Sequence, residues 1–164
     1  MSLLEICQWM ENLDWAVALR ESQIVFPVIE GAHLLGLALM MVPVLMFDMR
    51  LLGLMWADEP ASKIRNQFLP VTIVGGCLMV VTGSILFASE AVKCYGSNYF
   101  RVKVLMLFLA TVNVIVFHST IDRRIAEWEN DSPPPPRAKL AGIVSILVWT
   151  GVIFAGRYTA YNLF

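Results

Sequence analysis

The chain contains two histidines, His33 and His118, and both lie in long apolar segments. His33 follows the residues VFPVIEGA, and His118 ends the run VLMLFLATVNVIVFH. An ionisable side chain at membrane depth is costly, and such residues commonly mark a functional site. Neutral imidazole is also the commonest metal ligand and an axial ligand of haem iron. The two histidines are therefore candidate ligands of a metal or a haem.

Composition places these histidines in a membrane protein. Of the 164 residues, 58% are hydrophobic, whereas a soluble domain averages about 45–50%. Four apolar segments approach or exceed the roughly 20 residues that cross a bilayer as a helix. They cover about 23–47, 68–89, 102–119 and 140–156. The sequence thus predicts a single all-α membrane domain over 1–164, an integral membrane four-helix bundle. Because the chain has no basic stripe, no nucleic-acid partner is expected.

The segment before the first span predicts a separate surface helix. Within 2–20, apolar residues recur at helical spacing, with acidic and amide side chains on the opposite face. Trp9 and Trp15 suit the headgroup layer of a bilayer. We therefore expect one N-terminal amphipathic interfacial helix.

The distribution of lysine and arginine predicts the orientation of the bundle, because cytoplasmic loops carry an excess of both. The first and third loops share one side and contain seven of these residues: Arg50, Lys63, Arg65, Arg123, Arg124, Arg137 and Lys139. The other side has three outside the apolar segments: Arg20, Lys93 and Arg101. Both termini are therefore predicted to be periplasmic, in a bacterial inner membrane.

The helical rise of about 1.5 Å per residue converts sequence offsets into depths. His33 lies roughly 15 Å below Gln23, at the outer end of the first span. The third span runs parallel to the first, and His118 lies near its inner end. The two histidines should therefore differ in depth by roughly 12–16 Å. This difference disfavours one haem iron bound by both imidazoles of one chain, and we expect two sites on different levels.

A charged cluster surrounds His33 at the predicted outer end of the bundle. Glu30 is one turn above His33 on the same helix face, and Lys103 and Arg157 fall at similar depth. One interpretation is structural: ion pairs Glu30–Lys103 or Glu90–Arg157, with the cations reaching outward to the interface. The other is a site for an anionic group, such as haem propionates or an acidic substrate, with His33 as ligand or proton carrier.

Two further residues are candidate ligands. Met79 on the second span is about as deep as His33, so that a His–Met iron is one option. His118 lies one turn before Asp122. It is either an interfacial histidine bonded to a loop carboxylate, or a ligand of a second site or across a subunit interface.

Small residues predict close approaches between helices. Gly31, Ala32 and Gly36 flank His33 and either admit another helix or leave room for a flat cofactor. Gly75 and Gly76 predict close packing of the second span. Hydroxyl residues such as Thr82, on the same span, have the character of ordinary helix-to-helix hydrogen-bonding residues.

Short motifs resemble known families of membrane proteins. The motifs are IEGAHLLG at 29–36, DMRLLG at 48–53, TGSILF at 82–87 and YFRVK at 99–103. Over most of 20–125 they resemble an uncharacterised family of small bacterial four-helix membrane proteins. More distantly, the chain resembles HemJ, a haem-binding protoporphyrinogen oxidase, and the copper-resistance CopD family. The HemJ resemblance implies that His33 is the haem-linked histidine and that Arg50 and Lys103 match its arginine and lysine, whereas His118 and Glu30 fall outside its pattern.

Three functions are consistent with these residues. The favoured one is a haem b-binding membrane protein with an electron-transfer or oxidase-like redox role and a redox partner or quinone. Its cofactor-binding residues would be His33, His118, Lys103, Arg157, Glu30 and Met79, and the iron ligands would come from the two histidines. The alternatives are a proton- or metal-conducting transporter or channel subunit lined by Glu30, His33, Asp48 and His118, and a structural subunit without a site. The small-residue faces are compatible with a homo-oligomer in the lipid bilayer.

Overall fold

A computed structural model describes residues 2–131 and 133–161 of the chain. The described residues form eight α-helices: α1 Leu3–Glu11, α2 Asp14–Glu21, α3 Val25–Leu52, α4 Ala61–Ser89, α5 Ala91–Gly96, α6 Asn98–Val116, α7 Ile125–Trp128 and α8 Pro136–Tyr161. A π-helical turn at Phe117–Ile121 and a 3₁₀ turn at Asp122–Arg124 connect α6 to α7. The prediction of an all-α fold is confirmed.

Four helical segments are long and apolar enough to cross a membrane. They are Val25–Leu52, Ala61–Ser89, Asn98–Trp128 and Pro136–Tyr161. The prediction of an integral membrane helix bundle is therefore confirmed. Most helix ends lie roughly one turn or more beyond the predicted apolar segments, because hydropathy marks the hydrocarbon layer while the helices continue into the headgroup region.

The N-terminal segment differs from its prediction, since two helices replace the single interfacial helix expected over 2–20. A capping box between Ser2 and Glu5 starts α1, and Asn12 ends it as the C-cap. Leu13 then has an extended backbone and precedes α2. Asparagine favours such a break because its short polar side chain competes for backbone hydrogen bonds.

Helices α1 and α2 are attached to the end of α4 and the start of α5. The Glu11 carboxylate accepts hydrogen bonds from the Val92 backbone at 2.7 Å and from Arg20 at 2.9 Å. Arg20 also donates to the Ser89 carbonyl at 3.2 Å. We call this end of the bundle the terminal side. The opposite end, with the α3–α4 and α6–α8 connections, is the loop side.

The four long helices form two pairs, α3 with α4 and α6 with α8, and the pairs are joined where α3 contacts α8. Helix α3 packs along α4 and along α8, and α6 packs along α8. Between α4 and α6 the described residues form no comparable interface. Contacts close this gap at its ends: the rings of Phe87 and Phe100 stack at 5.5 Å on the terminal side, and Arg65 forms an ion pair with Asp122 on the loop side. The bundle therefore has a side opening between α4 and α6.

Helices α3 and α4 cross with their backbones in contact. A Cβ atom on Gly75 would lie 2.5 Å from the Met40 backbone nitrogen, and one on Gly36 would lie 3.3 Å from the Gly75 carbonyl oxygen. Gly36 thus admits a helix rather than a cofactor. A Cβ atom on Gly31 would meet open space. The predicted close packing at Gly75 is present in the structure, whereas a Cβ atom on Gly31 would meet no described neighbour within 4 Å.

A small core on the loop side holds the connections together. Leu51, Phe117 and Trp128 are each less than a tenth exposed and belong to this core. Arg50 is fully buried beside it and donates to the Glu59 carbonyl at 2.8 Å and the Glu129 carbonyl at 2.9 Å. Arg50 therefore ties the α3–α4 connection to the α6–α8 connection.

Candidate functional site

His33 is held by a hydrogen-bond chain that reaches into α4. Its Nδ1 atom lies 2.8 Å from the Thr82 hydroxyl oxygen, and that hydroxyl donates to the Leu78 carbonyl at 2.6 Å. Because a hydroxyl has a single proton to donate, Thr82 must accept from His33, and Nδ1 therefore carries the imidazole hydrogen. The lone pair of Nε2 has no hydrogen-bond donor among residues 2–131 and 133–161.

The charged cluster predicted around His33 lines one cavity with it. This cavity, the His33 cavity, has a volume of about 340 Å³ and lies among α3, α4, α6 and α8. Its lining includes every candidate residue of the predicted cluster: Glu30, His33, Met79, Glu90, Lys103 and Arg157. The volume falls at the lower end of the range of small-molecule sites.

The structure does not form the predicted ion pairs Glu30–Lys103 and Glu90–Arg157. Glu90 pairs instead with Lys93 at 2.9 Å. Arg157 donates to the Tyr161 hydroxyl at 2.6 Å, with its guanidinium over the ring of that tyrosine. In the described part of the chain, neither Glu30 nor Lys103 has a hydrogen-bond or ion-pair partner.

Two glycines shape the walls of the His33 cavity. A Cβ atom on Gly83 would lie 3.1 Å from Cε1 of His33, so the absence of a side chain there seats the imidazole. A Cβ atom on Gly156 would lie 3.7 Å from Nζ of Lys103. The Lys103 ammonium therefore lies against the backbone of α8 inside the cavity, where an anionic group could pair with it.

His118 lies at the loop side, in the π-helical turn. Its Nδ1 atom is 2.9 Å from the Asp122 carboxylate, which also pairs with Arg65. Nδ1 therefore donates, and Nε2 is again free. The His118 side chain is 49% exposed, so it lies at the surface of the bundle. Such π-helical turns are rare in proteins overall, and those that occur are often found at functional sites.

His118 lines a second cavity, the His118 cavity, of about 290 Å³. It shares no lining residue with the His33 cavity. Its polar lining consists of Asp48, Arg65, Thr72, Asn113, His118 and Ser145. Asp48 is only 5% exposed and has the Ser145 hydroxyl beside it. The two histidines thus occupy separate cavities on different levels of the bundle.

Each cavity offers a single imidazole nitrogen rather than a ligand cluster. Within residues 2–131 and 133–161, no group of three or more His, Cys, Asp and Glu side chains is placed to hold a metal ion. Cys7, Cys77 and Cys94 are free thiols. A metal bound at either histidine would need most of its ligands from another source.

Sequence reasoning missed two roles. Thr82 had the character of an ordinary helix-to-helix residue, yet its partner is His33. The sequence does not reveal how α4 is rotated relative to α3. The hydrogen bond between Thr82 and His33 could therefore not be predicted from it. Arg50, which the HemJ resemblance associates with the haem-linked histidine, lies at the loop side and does not line the His33 cavity.

The fold and its two cavities define an all-α integral membrane protein with candidate small-molecule sites inside the helix bundle. The sequence profile of DUF6644, a family of unknown function, matches residues 22–162, and the chain belongs to this family. The predicted membership of an uncharacterised family agrees with this match. No curated protein and no solved structure matches the chain.

Proposed function

We propose that the protein binds haem b in the His33 cavity and has an electron-transfer or oxidase-like redox role. The observation that carries this proposal is the hydrogen-bond chain from His33 through Thr82 to the Leu78 carbonyl. Metal-ligating histidines almost always donate their other ring N–H to a protein acceptor, which fixes the tautomer and the ring orientation. His33 has this arrangement, with Nε2 free to act as an axial ligand.

The charges in the His33 cavity also support the proposal. Lys103 is a cation without an ion-pair partner among the described residues, and Arg157 lines the same cavity. Carboxylates are the groups that such cations bind best. The two haem propionates would therefore pair with Lys103 and Arg157, and this pairing would neutralise a lysine that is otherwise costly inside the bundle.

The ligand count is compatible with haem. The porphyrin supplies the equatorial ligands, so the chain needs to provide only axial ones. His33 would be the first, and Met79 lines the same cavity as a candidate second one. Haem supplies one-electron redox chemistry when it is bound. The chain would orient it through the fixed His33 ring, and the stacked Phe87 and Phe100 rings would limit access of water.

The resemblance to HemJ at His33 and Lys103 favours the same cofactor, because both residues line one cavity. The matching arginine, Arg50, belongs to the loop side, so the proposal assigns it no part in binding haem. The CopD resemblance would instead imply copper. A copper ion needs all its ligands from the protein, and the cavity provides only one imidazole, whereas haem iron takes most of its ligands from the porphyrin.

We further propose that the protein lies in a bacterial inner membrane with both termini in the periplasm. The basis is the excess of lysine and arginine on the loop side. Large apolar side chains on the outside of the bundle would face lipid or a second copy of the chain. They include Leu34, Val80, Phe108 and Leu147, each at least 60% exposed.

An absorption spectrum of the purified protein tests the haem proposal. We expect a Soret band with one haem per chain, and we expect His33→Ala to abolish it. The matched control is His118→Ala, which should retain the band because His118 lines the other cavity. A Soret band that survives His33→Ala would contradict the proposal. So would a colourless protein with pH-dependent ion flux in liposomes, which would indicate the transporter alternative.

A further inference from the structure

The His118 cavity has its polar groups at two ends. The deep end carries the Asp48 carboxylate and the Ser145 hydroxyl, and Asn113 lies on the same level because it donates to the Ala141 carbonyl at 3.2 Å. The shallow end carries His118, whose Nε2 has no hydrogen-bond partner among the described residues and which lies five residues beyond Asn113, or roughly 7 Å further along the helix axis. Aromatic rings line the space between and around these ends: Phe47, Phe68, Phe117 and Trp149.

The charges at the two ends favour a neutral ligand. Arg65 lines the shallow end and is paired with Asp122, so a cation that enters there meets a guanidinium group. An anion that reaches the deep end meets the Asp48 carboxylate, which is 5% exposed and has no cationic partner among the described residues. A neutral molecule with polar groups at both ends avoids both the repulsion of a cation by Arg65 and the repulsion of an anion by Asp48.

The route into the cavity comes from the bilayer. Leu69 on α4 and Val114 on α6 both line the cavity and are 40% and 46% exposed. They flank the side opening between α4 and α6. The Arg65–Asp122 pair closes this opening on the loop side. The ligand is therefore lipid-soluble and can leave an apolar tail in the opening.

We propose that the His118 cavity binds the ring of a lipid-soluble quinol. A quinol is neutral and flat, has hydroxyl groups on opposite sides of its ring, and carries an apolar tail. Nε2 of His118 is a hydrogen-bond acceptor, and the Asp48 carboxyl group can accept through an oxygen, so the pair can receive both hydroxyl donors of the reduced form. Nε2 has no proton to donate to a carbonyl oxygen of a quinone. The aromatic rings would stack on the quinol ring. This site is separate from the His33 cavity and does not depend on haem binding there.

Trp149 provides a built-in reporter for this proposal, because it lines the cavity. The full chain in nanodiscs is titrated anaerobically with a short-tailed benzoquinol while tryptophan fluorescence is recorded. We expect saturable quenching that Trp149→Phe largely removes. The oxidised quinone should bind more weakly, and the dimethyl ether of the quinol, which has no hydroxyl donors, should bind more weakly still.

Variants at the two ends test the assigned contacts. His118→Phe keeps a ring but removes the acceptor nitrogen, and we expect it to weaken quinol binding about tenfold, the effect of losing one hydrogen bond. Asp48→Asn should also weaken it. If that buried substitution prevents folding, His118→Phe, at a surface position, carries the test alone. The control Thr150→Val, next to Trp149 but outside the cavity lining, should leave the affinity unchanged.

Four results of the quinol titrations would overturn the proposal. They are the absence of saturable quenching, quenching that Trp149→Phe does not reduce, equal binding of the dimethyl ether, and affinity that His118→Phe does not change. Competition by tetraphenylphosphonium that depends on Asp48 would also overturn it, because the site would then be one for lipophilic cations.

Discussion

The His33 and His118 cavities present the same imidazole arrangement in different charge environments. In both, Nδ1 donates to a protein oxygen and Nε2 is free, but the acceptor is the Thr82 hydroxyl in one and the Asp122 carboxylate in the other. Within the described residues Lys103 has no ion-pair partner in the first cavity, whereas Arg65 in the second is neutralised by an ion pair. The first cavity therefore suits an anionic group and the second a neutral one. The neighbouring charges, rather than the histidine itself, distinguish the two sites.

The helices that carry the two histidines also differ. His33 lies in a regular α-helix, and its position depends on the small residues Gly83 and Gly36 on either side of the α3–α4 contact. His118 lies in a π-helical turn beside a buried core. The His33 cavity is therefore sensitive to added side-chain volume, and the His118 cavity is sensitive to the integrity of the loop side.

Removal of the buried arginine on the loop side should have the largest effect on stability. Arg50→Ala removes two charge-assisted hydrogen bonds that the buried guanidinium donates to the Glu59 and Glu129 carbonyls, and it leaves a cavity, so we expect a loss of about 3–5 kcal/mol. Unfolding in detergent, followed by circular dichroism, measures it. Arg124→Ala, at an exposed residue on the same side, is the control and should change stability by less than about 0.5 kcal/mol. A loss below about 1 kcal/mol for Arg50→Ala would show that the loop side does not depend on this residue.

The close crossing of α3 and α4 should be the next most sensitive point. Gly75→Ala places a Cβ atom 2.5 Å from the Met40 nitrogen, so the helices must separate, and we expect a cost of about 1–3 kcal/mol. Gly76→Ala is the matched control, because its Cβ atom would lie 3.7 Å from the Met40 sulfur, an ordinary contact distance. Equal stabilities of the two variants would mean that the backbones are not in contact.

Two substitutions, one at the hydrogen-bond acceptor of each histidine, test which of the two histidines binds haem. Thr82→Val keeps the side-chain shape but removes the acceptor for Nδ1 of His33, and we expect haem affinity to fall about 10–100-fold. Asp122→Asn changes the acceptor for His118 and should leave haem affinity unaltered. Haem titration monitored by the Soret band measures both. If Asp122→Asn had the larger effect, the assignment of haem to the His33 cavity would be wrong.

The sequence predicted the spans and the separation of the histidines, because both depend on residue counts along helices. It did not predict the charge partners. Glu90 pairs three residues away with Lys93, and Arg157 bonds four residues away to Tyr161, whereas pairs across helices were expected. Such neighbours share a helix face, so local partners could have been inferred from spacing. The Thr82–His33 bond and the π-helical turn depend on helix rotation and local packing, which spacing does not encode.

The last prediction concerns a thiol on the terminal side that lines the His33 cavity. Burial, with a smaller contribution from the negative charge of Glu90, raises the pKa of the Cys94 thiol to about 11. A raised thiol pKa means that the folded state favours the protonated form. The stability from this preference is present below about pH 9 and is lost as the pH rises toward 11. At neutral pH the thiolate fraction is small, and Cys94 should be a poor nucleophile.

Alkylation of a variant whose only cysteine is Cys94 measures this effect. In the background Cys7→Ala, Cys77→Ala, we expect iodoacetamide to react with the folded protein at pH 8 about 100-fold more slowly than with the unfolded chain, because the thiolate fraction falls tenfold for each unit of pKa. The rate should rise tenfold per pH unit up to about pH 11. A rate that levels off near pH 9 would show that the thiol is not shielded, and the terminal-side wall of the His33 cavity would then be open to water.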